Sequence, residues 1–291
     1  TPKPSSAASD VYKRQGLFGV GGGFLMTPLL IFMGIPPATA VGTESVQILG
    51  SSVSGAMAHG IKKNIDYEIG IFLLIGGIFG STVGVILFNF LKESGNIDLI
   101  IKFLYILFLA IIGTLMLVES TISLVSEKKI DPSYKKKKRS FLDYLPLKLK
   151  FRQSKIFISI LLPIFVGIFV GLLSAFMGVG GGFVMVPAMI YLFGMGTVVA
   201  IGTSLFQIVF VTLNVSILHA TFNYSVDLIL AIFLLIGGVI GAQYGSKFTS
   251  RFKGEQIRIL LALIVLIVCI MMGIELVSEP TANSRIILQN V

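Results

Sequence analysis

Thr43 and Gln47 stand four residues apart, as do Thr203 and Gln207, so each pair shares one face of a helix. Such hydroxyls and amides donate hydrogen bonds without carrying charge, which suits a small oxyanion that must be bound and then released. The same side chains can instead hold helices together, at about 1–2 kcal/mol or less per contact in a membrane. Ser51 and Ser54 extend the first face and Asn214 the second. Upstream of each pair lies the string Gly-Val-Gly-Gly-Gly-Phe, at residues 19–24 and again at 178–183. Its glycines, Gly21, Gly22 and Gly23 in one copy and Gly180, Gly181 and Gly182 in the other, permit positive φ and close backbone approach. Successive bare N–H groups at a helix start attract anions. Close helix packing is the competing use of the same glycines.

Three titratable residues accompany these faces. Glu44 lies about six residues inside a span-length segment, and its counterpart in the second copy is Ser204. A lone acid at membrane depth suggests proton coupling, whereas one turn nearer the interface it would be hydrated or would cap a glycine loop. His59 and His219 end their segments at equivalent positions. Interfacial hydrogen bonding suits them, and titration near neutrality allows a proton-sensing role. Their spacing from Cys and acidic residues gives no recognisable metal pattern, so neither a metal nor a cofactor is expected.

The elements that must position these residues are duplicated. Ala40-Val41-Gly42-Thr43 answers Ala200-Ile201-Gly202-Thr203, and the seven residues from Ile71 to Gly77 return unchanged from Ile232 to Gly238. The offset drifts only from 159 to 161 residues, which marks one repeated unit with small insertions. Mean hydropathy is +0.94, and 55% of residues are hydrophobic against 13% charged. Apolar stretches at 67–90, 97–118, 156–176, 226–246 and 257–276 are long enough to cross about 30 Å of hydrocarbon as helices, and 38–59 and 197–219 are more polar but of similar length. The fold class expected is all-α, a polytopic transmembrane helical bundle of two homologous repeats with glycine-broken segments. Pro36-Pro37 fits the start of the polar helix of repeat one. Pro28 and Pro187 bend or shorten the segment after each glycine string.

The net charge of +9 is concentrated between the repeats. Residues 120–155 hold eleven Lys or Arg and three acids, Glu127, Asp131 and Asp143, a balance of +8. Beside membrane spans this is a positive-inside signal that places the linker in the cytoplasm. Contact with anionic lipids is a second use of the charge, and nucleic acid is not an expected partner. Lys62 and Lys63 follow the polar helix of repeat one, while its counterpart loop, 220–225, is uncharged. The next loop reverses the contrast, with Lys247, Arg251, Lys253 and Arg258 in repeat two. Equivalent loops therefore face opposite sides, and the repeats are expected to be inverted about an axis in the membrane plane.

Domain organisation follows. Residues 16–119 form repeat one, 120–155 the basic linker, 156–276 repeat two and 277–291 a C-terminal tail. Residues 1–15 read as foreign: Asp10-Val11-Tyr12-Lys13-Arg14-Gln15 is the in-frame translation of a transposon-end sequencing adaptor. The expectation is that the first helix of repeat one is truncated, because a full span precedes the second glycine string and only Gly16–Phe18 precede the first.

The combination of Gly-x-Gly-Gly-Gly followed shortly by proline, the Gly-Thr start of the polar helix, and the internal duplication resembles the TauE/SafE sulfite-exporter family, over residues 16 to about 276. The resemblance implies a multi-pass plasma-membrane carrier for sulfite, organosulfonates or other small anions, with no cofactor. It carries over only to the matched Gly, Thr and Gln positions. Two other classes compete. A channel can also be built from inverted repeats, and an intramembrane enzyme would need a nucleophile–base pair or metal cluster that Glu44 and two scattered histidines hardly supply.

Overall fold

A computed structural model describes residues 23–125, 147–151, 153–154, 156–249 and 254–278. The chain is helical, with one short hairpin. α1 is Gly23–Phe32, α2 Pro37–Ile61, α3 Tyr67–Glu93 and α4 Ile97–Val125. Strands β1 (Lys148–Phe151) and β2 (Ile156–Ser159) pair antiparallel, Lys148 opposite Ser159 and Phe151 opposite Ile156. The second half contains α5 (Leu161–Met177), α6 (Gly182–Tyr191), α7 (Thr197–Thr221), α8 (Leu228–Thr249) and α9 (Gly254–Ser278). Among the described residues, four stretches are long and apolar enough to cross a membrane: Tyr67–Glu93, Ile97–Val118, Thr197–Thr221 and Ile259–Ser278.

One boundary differs from expectation. The span expected from residue 156 begins at Leu161, because Ile156–Ser159 is a strand that pairs with Lys148–Phe151. The hairpin thus takes up the end of the expected linker. Pro28 and Pro187 lie inside α1 and α6, each ten residues long. Ten residues rise only about 15 Å, half the hydrocarbon thickness, so neither helix crosses by itself. Pro37 opens α2, where its missing N–H costs nothing.

Helix packing runs through glycine. A Cβ on Gly76 or Gly80 of α3 would strike the backbone of Ile164 or Ile168 on α5, and one on Gly84 would meet Ala175. Gly167 and Gly171 of α5 answer from the other side, against the carbonyls of Leu73 and Gly77. Small residues every fourth position on both helices let α3 and α5 run parallel in backbone contact. α2 and α7 instead run antiparallel, since Ser45 meets Ser216 (2.9 Å) while Gly55 meets Leu205. α4 and α9 are antiparallel too: Lys102 pairs with Glu275 (3.0 Å), the Cys269 thiol donates to the carbonyl of Ile106, and Gly113 lies against Val265 and Leu266.

One end of the bundle collects the α2–α3 turn, the β-hairpin and the start of α7. Asp66 is its hub. Its N–H donates to Thr203 Oγ1 (2.9 Å), one carboxylate oxygen caps Ile69 N–H, and the other accepts from Ser154 N–H and Oγ. Gln153 Nε2 reaches the carbonyl of Lys63. At the opposite end, Lys92 closing α3 donates to the carbonyl of Asn223 in the α7–α8 turn.

Candidate functional site

The residues singled out by sequence converge on α2 and α7, but in three separate groups. Thr43 and Thr203 fasten loops. Thr43 Oγ1 accepts from Asp227 N–H (3.0 Å), and Thr203 Oγ1 accepts from Asp66 N–H (2.9 Å). Each threonine thus holds the start of a helix in the other half of the chain. Gly42 and Gly202 sit beside them, where a Cβ would strike the carbonyls of Ser225 and Asn64 respectively. Lys63 and Tyr224, at equivalent places in the two turns, both adopt positive φ (54° and 48°).

The amides form the second group. Gln207 is fully buried, and neither its Nε2 nor its Oε1 has a hydrogen-bond partner among the described residues; the same holds for Oε1 of Gln47. Gln207 Nε2 lies 2.6 Å from where a Cβ on Gly77 of α3 would stand, and Gln47 Nε2 lies 3.1 Å from the equivalent point on Gly238 of α8. Each amide therefore occupies space left by a glycine of the opposite half. A buried amide without a partner costs about 1–3 kcal/mol per unpaired group, a cost expected where a ligand completes the bonding. Asn214, which the sequence places on the Gln207 face, is already engaged with Ser81 Oγ (2.9 Å) and Thr82 Oγ1 (3.1 Å).

The glycine string is the third group. Gly178, Gly180 and Gly181 all have φ between 67° and 70°. This left-handed run reverses the chain between α5 and α6, a course open to glycine at little cost. It is tightly enclosed: Gly178 against the carbonyl of Val41, Gly180 against Ile208, Thr212 and Ile48, Gly181 against Val170. Gly182 is the first residue of α6. The string thus touches Ile208 while Gln207 is turned toward α3, so glycines and amides lie on neighbouring faces of α7 and not on one. In the first copy, Gly21 and Gly22 fall outside the described residues, and Gly23 begins α1.

Glu44 is fully buried on α2. His219, also buried, is held on both ring nitrogens. Nε2 stands 3.0 Å from the carbonyl of Ala175, which can only accept, so Nδ1 is left to accept from Asn223 Nδ2 at 3.0 Å. Phe88 packs edge-on against the ring. His219 is thereby a fastener of the α7 end to α5. His59 lies beside Gly202 at the other end of the α2–α7 pair. Sequence reading passed over the matched aspartates, Asp66 and Asp227. Their signal was their recurrence immediately before each Gly-rich helix.

The family model described as sulfite exporter TauE/SafE matches residues 14–272. The chain is 32% identical to the "Probable membrane transporter protein YjnA" of Bacillus subtilis (strain 168) over 253 residues, covering 87% of this chain and 91% of that one. It is 30% identical to a "Probable membrane transporter protein" of Xylella fastidiosa (strain 9a5c), covering 83% and 82%. A shorter stretch, 24% of this chain and 17% of the other, is 30% identical to "Sulfite exporter TauE/SafE family protein 6" of Arabidopsis thaliana. No solved structure matches the chain. With a transporter family matched over most of its length and apolar helices fit to span a bilayer, the chain belongs to the TauE/SafE sulfite exporter family of integral membrane proteins.

Proposed function

We propose that the protein is a secondary carrier that moves small anions, with sulfite and organosulfonates first among them, by alternating access of a site between two inverted repeats. The observation that carries this reading is the reciprocal placement of two amides with unpaired atoms among the described residues, Gln207 (Nε2 and Oε1) over Gly77 and Gln47 (Oε1) over Gly238. Reciprocal contacts of this kind, residue i of one half on j of the other and the reverse, are what a two-fold axis generates. The threonine–aspartate ties repeat the same exchange. Equivalent helices α2 and α7 run antiparallel, as do α4 and α9, which supports an axis in the plane of the bilayer. Uncharged amide donors bind an oxyanion by hydrogen bonds worth a few kcal/mol each, weak enough for release on the far side.

Orientation follows from charge. The end bearing Lys62, Lys63 and the hairpin with Lys148 and Lys150 is assigned to the cytoplasm, together with the linker 120–155, in the plasma membrane. The linker's basic residues suit anionic lipid headgroups. No enzymatic step and no cofactor enter the cycle. The test is counterflow: purified protein in liposomes loaded with unlabelled anion should take up labelled sulfite, thiosulfate, sulfoacetate or a small sulfonate in a saturable way. Uptake that never saturates and follows voltage as a conductance would instead identify a channel.

A further inference from the structure

Neither oxygen of the buried Glu44 carboxyl has a hydrogen-bond partner among the described residues. Its surroundings are defined on three sides. On α2 it lies one turn from Val41 and one from Ile48, along one face. Val41 offers its carbonyl to Gly178, and Ile48 packs on Gly180, so this face rests against the glycine string. From α4, Tyr105 donates its hydroxyl to the carbonyl of Met177, the residue before Gly178, and lies within electrostatic reach of Glu44. Thr27 of α1 stands beside Tyr105.

No cation answers the acid from these elements. α1 and α5 contain no ionisable residue, and α8 has none before Tyr244. On α7 the one titratable group is His219, one turn from Ser216 at the end that packs beside Ser45, and both its ring nitrogens are already engaged, Nε2 with the Ala175 carbonyl and Nδ1 with Asn223. On α4, the Tyr105 hydroxyl is engaged with the Met177 carbonyl, and Lys102, one turn earlier, is engaged with Glu275 of α9. An ionised carboxylate in such a setting gives up its hydration with no charge partner in return. The second repeat places Ser204 at the equivalent position, its hydroxyl donating to the carbonyl of Ile201 (2.9 Å), so the second copy has no such carboxyl there.

We propose that Glu44 is the proton-carrying site of the carrier. The carboxyl takes up one proton from water while the site is open to one side, holds it through this occluded arrangement, and releases it to water when the α2 face parts from the glycine string on the other side. Each cycle thus moves one proton with, or against, the anion. This rests on the carrier reading above, and the tests keep the two apart.

Infrared spectroscopy of the full chain in liposomes at neutral pH should show the C=O stretch of a protonated buried carboxyl, and Glu44→Gln should remove it. Glu44→Gln, eluting and melting as the wild type does, should exchange labelled sulfite at wild-type rate with equal pH on both sides. It should fail to accumulate sulfite under a pH gradient that drives the wild type. A wild type without the carboxyl band would overturn the proposal. So would a Glu44→Gln protein that accumulates sulfite as the wild type does, or one that loses exchange together with accumulation. A wild type that exchanges no sulfite would count against the carrier reading, and the infrared band would then decide the proton site alone.

Discussion

Replacing Gln47 and Gln207 together by alanine is expected to lower anion affinity at least a hundredfold while the protein stays folded. The loss of one hydrogen bond to an anion costs about 1.5–3 kcal/mol, roughly ten- to a hundredfold in binding. Two equivalent contacts on one ligand remove more, though not strictly in proportion, because they share it. Stability separates this account from the alternative in which the amides only glue helices together. Glue would be missed: its removal should lower the melting temperature of the ligand-free protein. Here Gln207 has no partner for either amide atom, so its removal relieves an unpaired buried group. Gln207→Leu, close in volume, should therefore melt at or above the wild-type temperature without anion and show little of the wild type's stabilisation when anion is added. Thermal shift with and without sulfite reads both effects. A double mutant with wild-type affinity would remove these residues from the site.

The second large effect lies in the glycine string. Gly178→Ala should destabilise the protein by about 2–5 kcal/mol, summing a left-handed backbone cost of about 1–2 kcal/mol with an overpacking cost of about 1–3 kcal/mol. The reason is twofold: φ is 67°, and the new Cβ would meet the carbonyl of Val41, which the backbone of α2 holds in place. Gly196→Ala is the matched control, since its Cβ would meet no atom within 4 Å and its φ is negative. It should change the melting temperature little. Equal losses from the two substitutions would show that the string's geometry is not what matters.

The all-α character of the chain was legible in its sequence. Hydropathy marked the helices because lipid leaves a span no choice but to satisfy its own backbone. The glycine stripe at Gly76, Gly80 and Gly84 reads as a packing face, and it is one. Pro28 and Pro187 predicted shortened segments, and both lie in ten-residue helices. Partners across the bundle were less legible, because a polar residue on a helix face does not announce which neighbour it meets. Thr43 and Gln47 share a stripe in sequence, yet Thr43 turns to Asp227 while Gln47 faces Gly238. The strand pair before α5 was hidden by the apolar run Ile156–Ile158, which suits a helix and a strand alike. The adaptor-like residues 1–15 and the glycines Gly21 and Gly22 fall outside the described residues.

The inverted relation of the two halves is the claim on which the site depends, since only inversion lets Gln47 and Gln207 approach one anion from opposite sides of the bilayer. It is tested most directly at Lys63 and Tyr224, equivalent turn residues that are both exposed. Tyr224 serves better than its neighbour Asn223, which is only 2% exposed against 87% for Tyr224. In a background with the sole cysteine, Cys269, replaced by serine, Tyr224→Cys should react with a membrane-impermeant maleimide in intact cells. Lys63→Cys should react only after the membrane is opened. Labelling of both positions from the same side would make the repeats parallel and contradict the account.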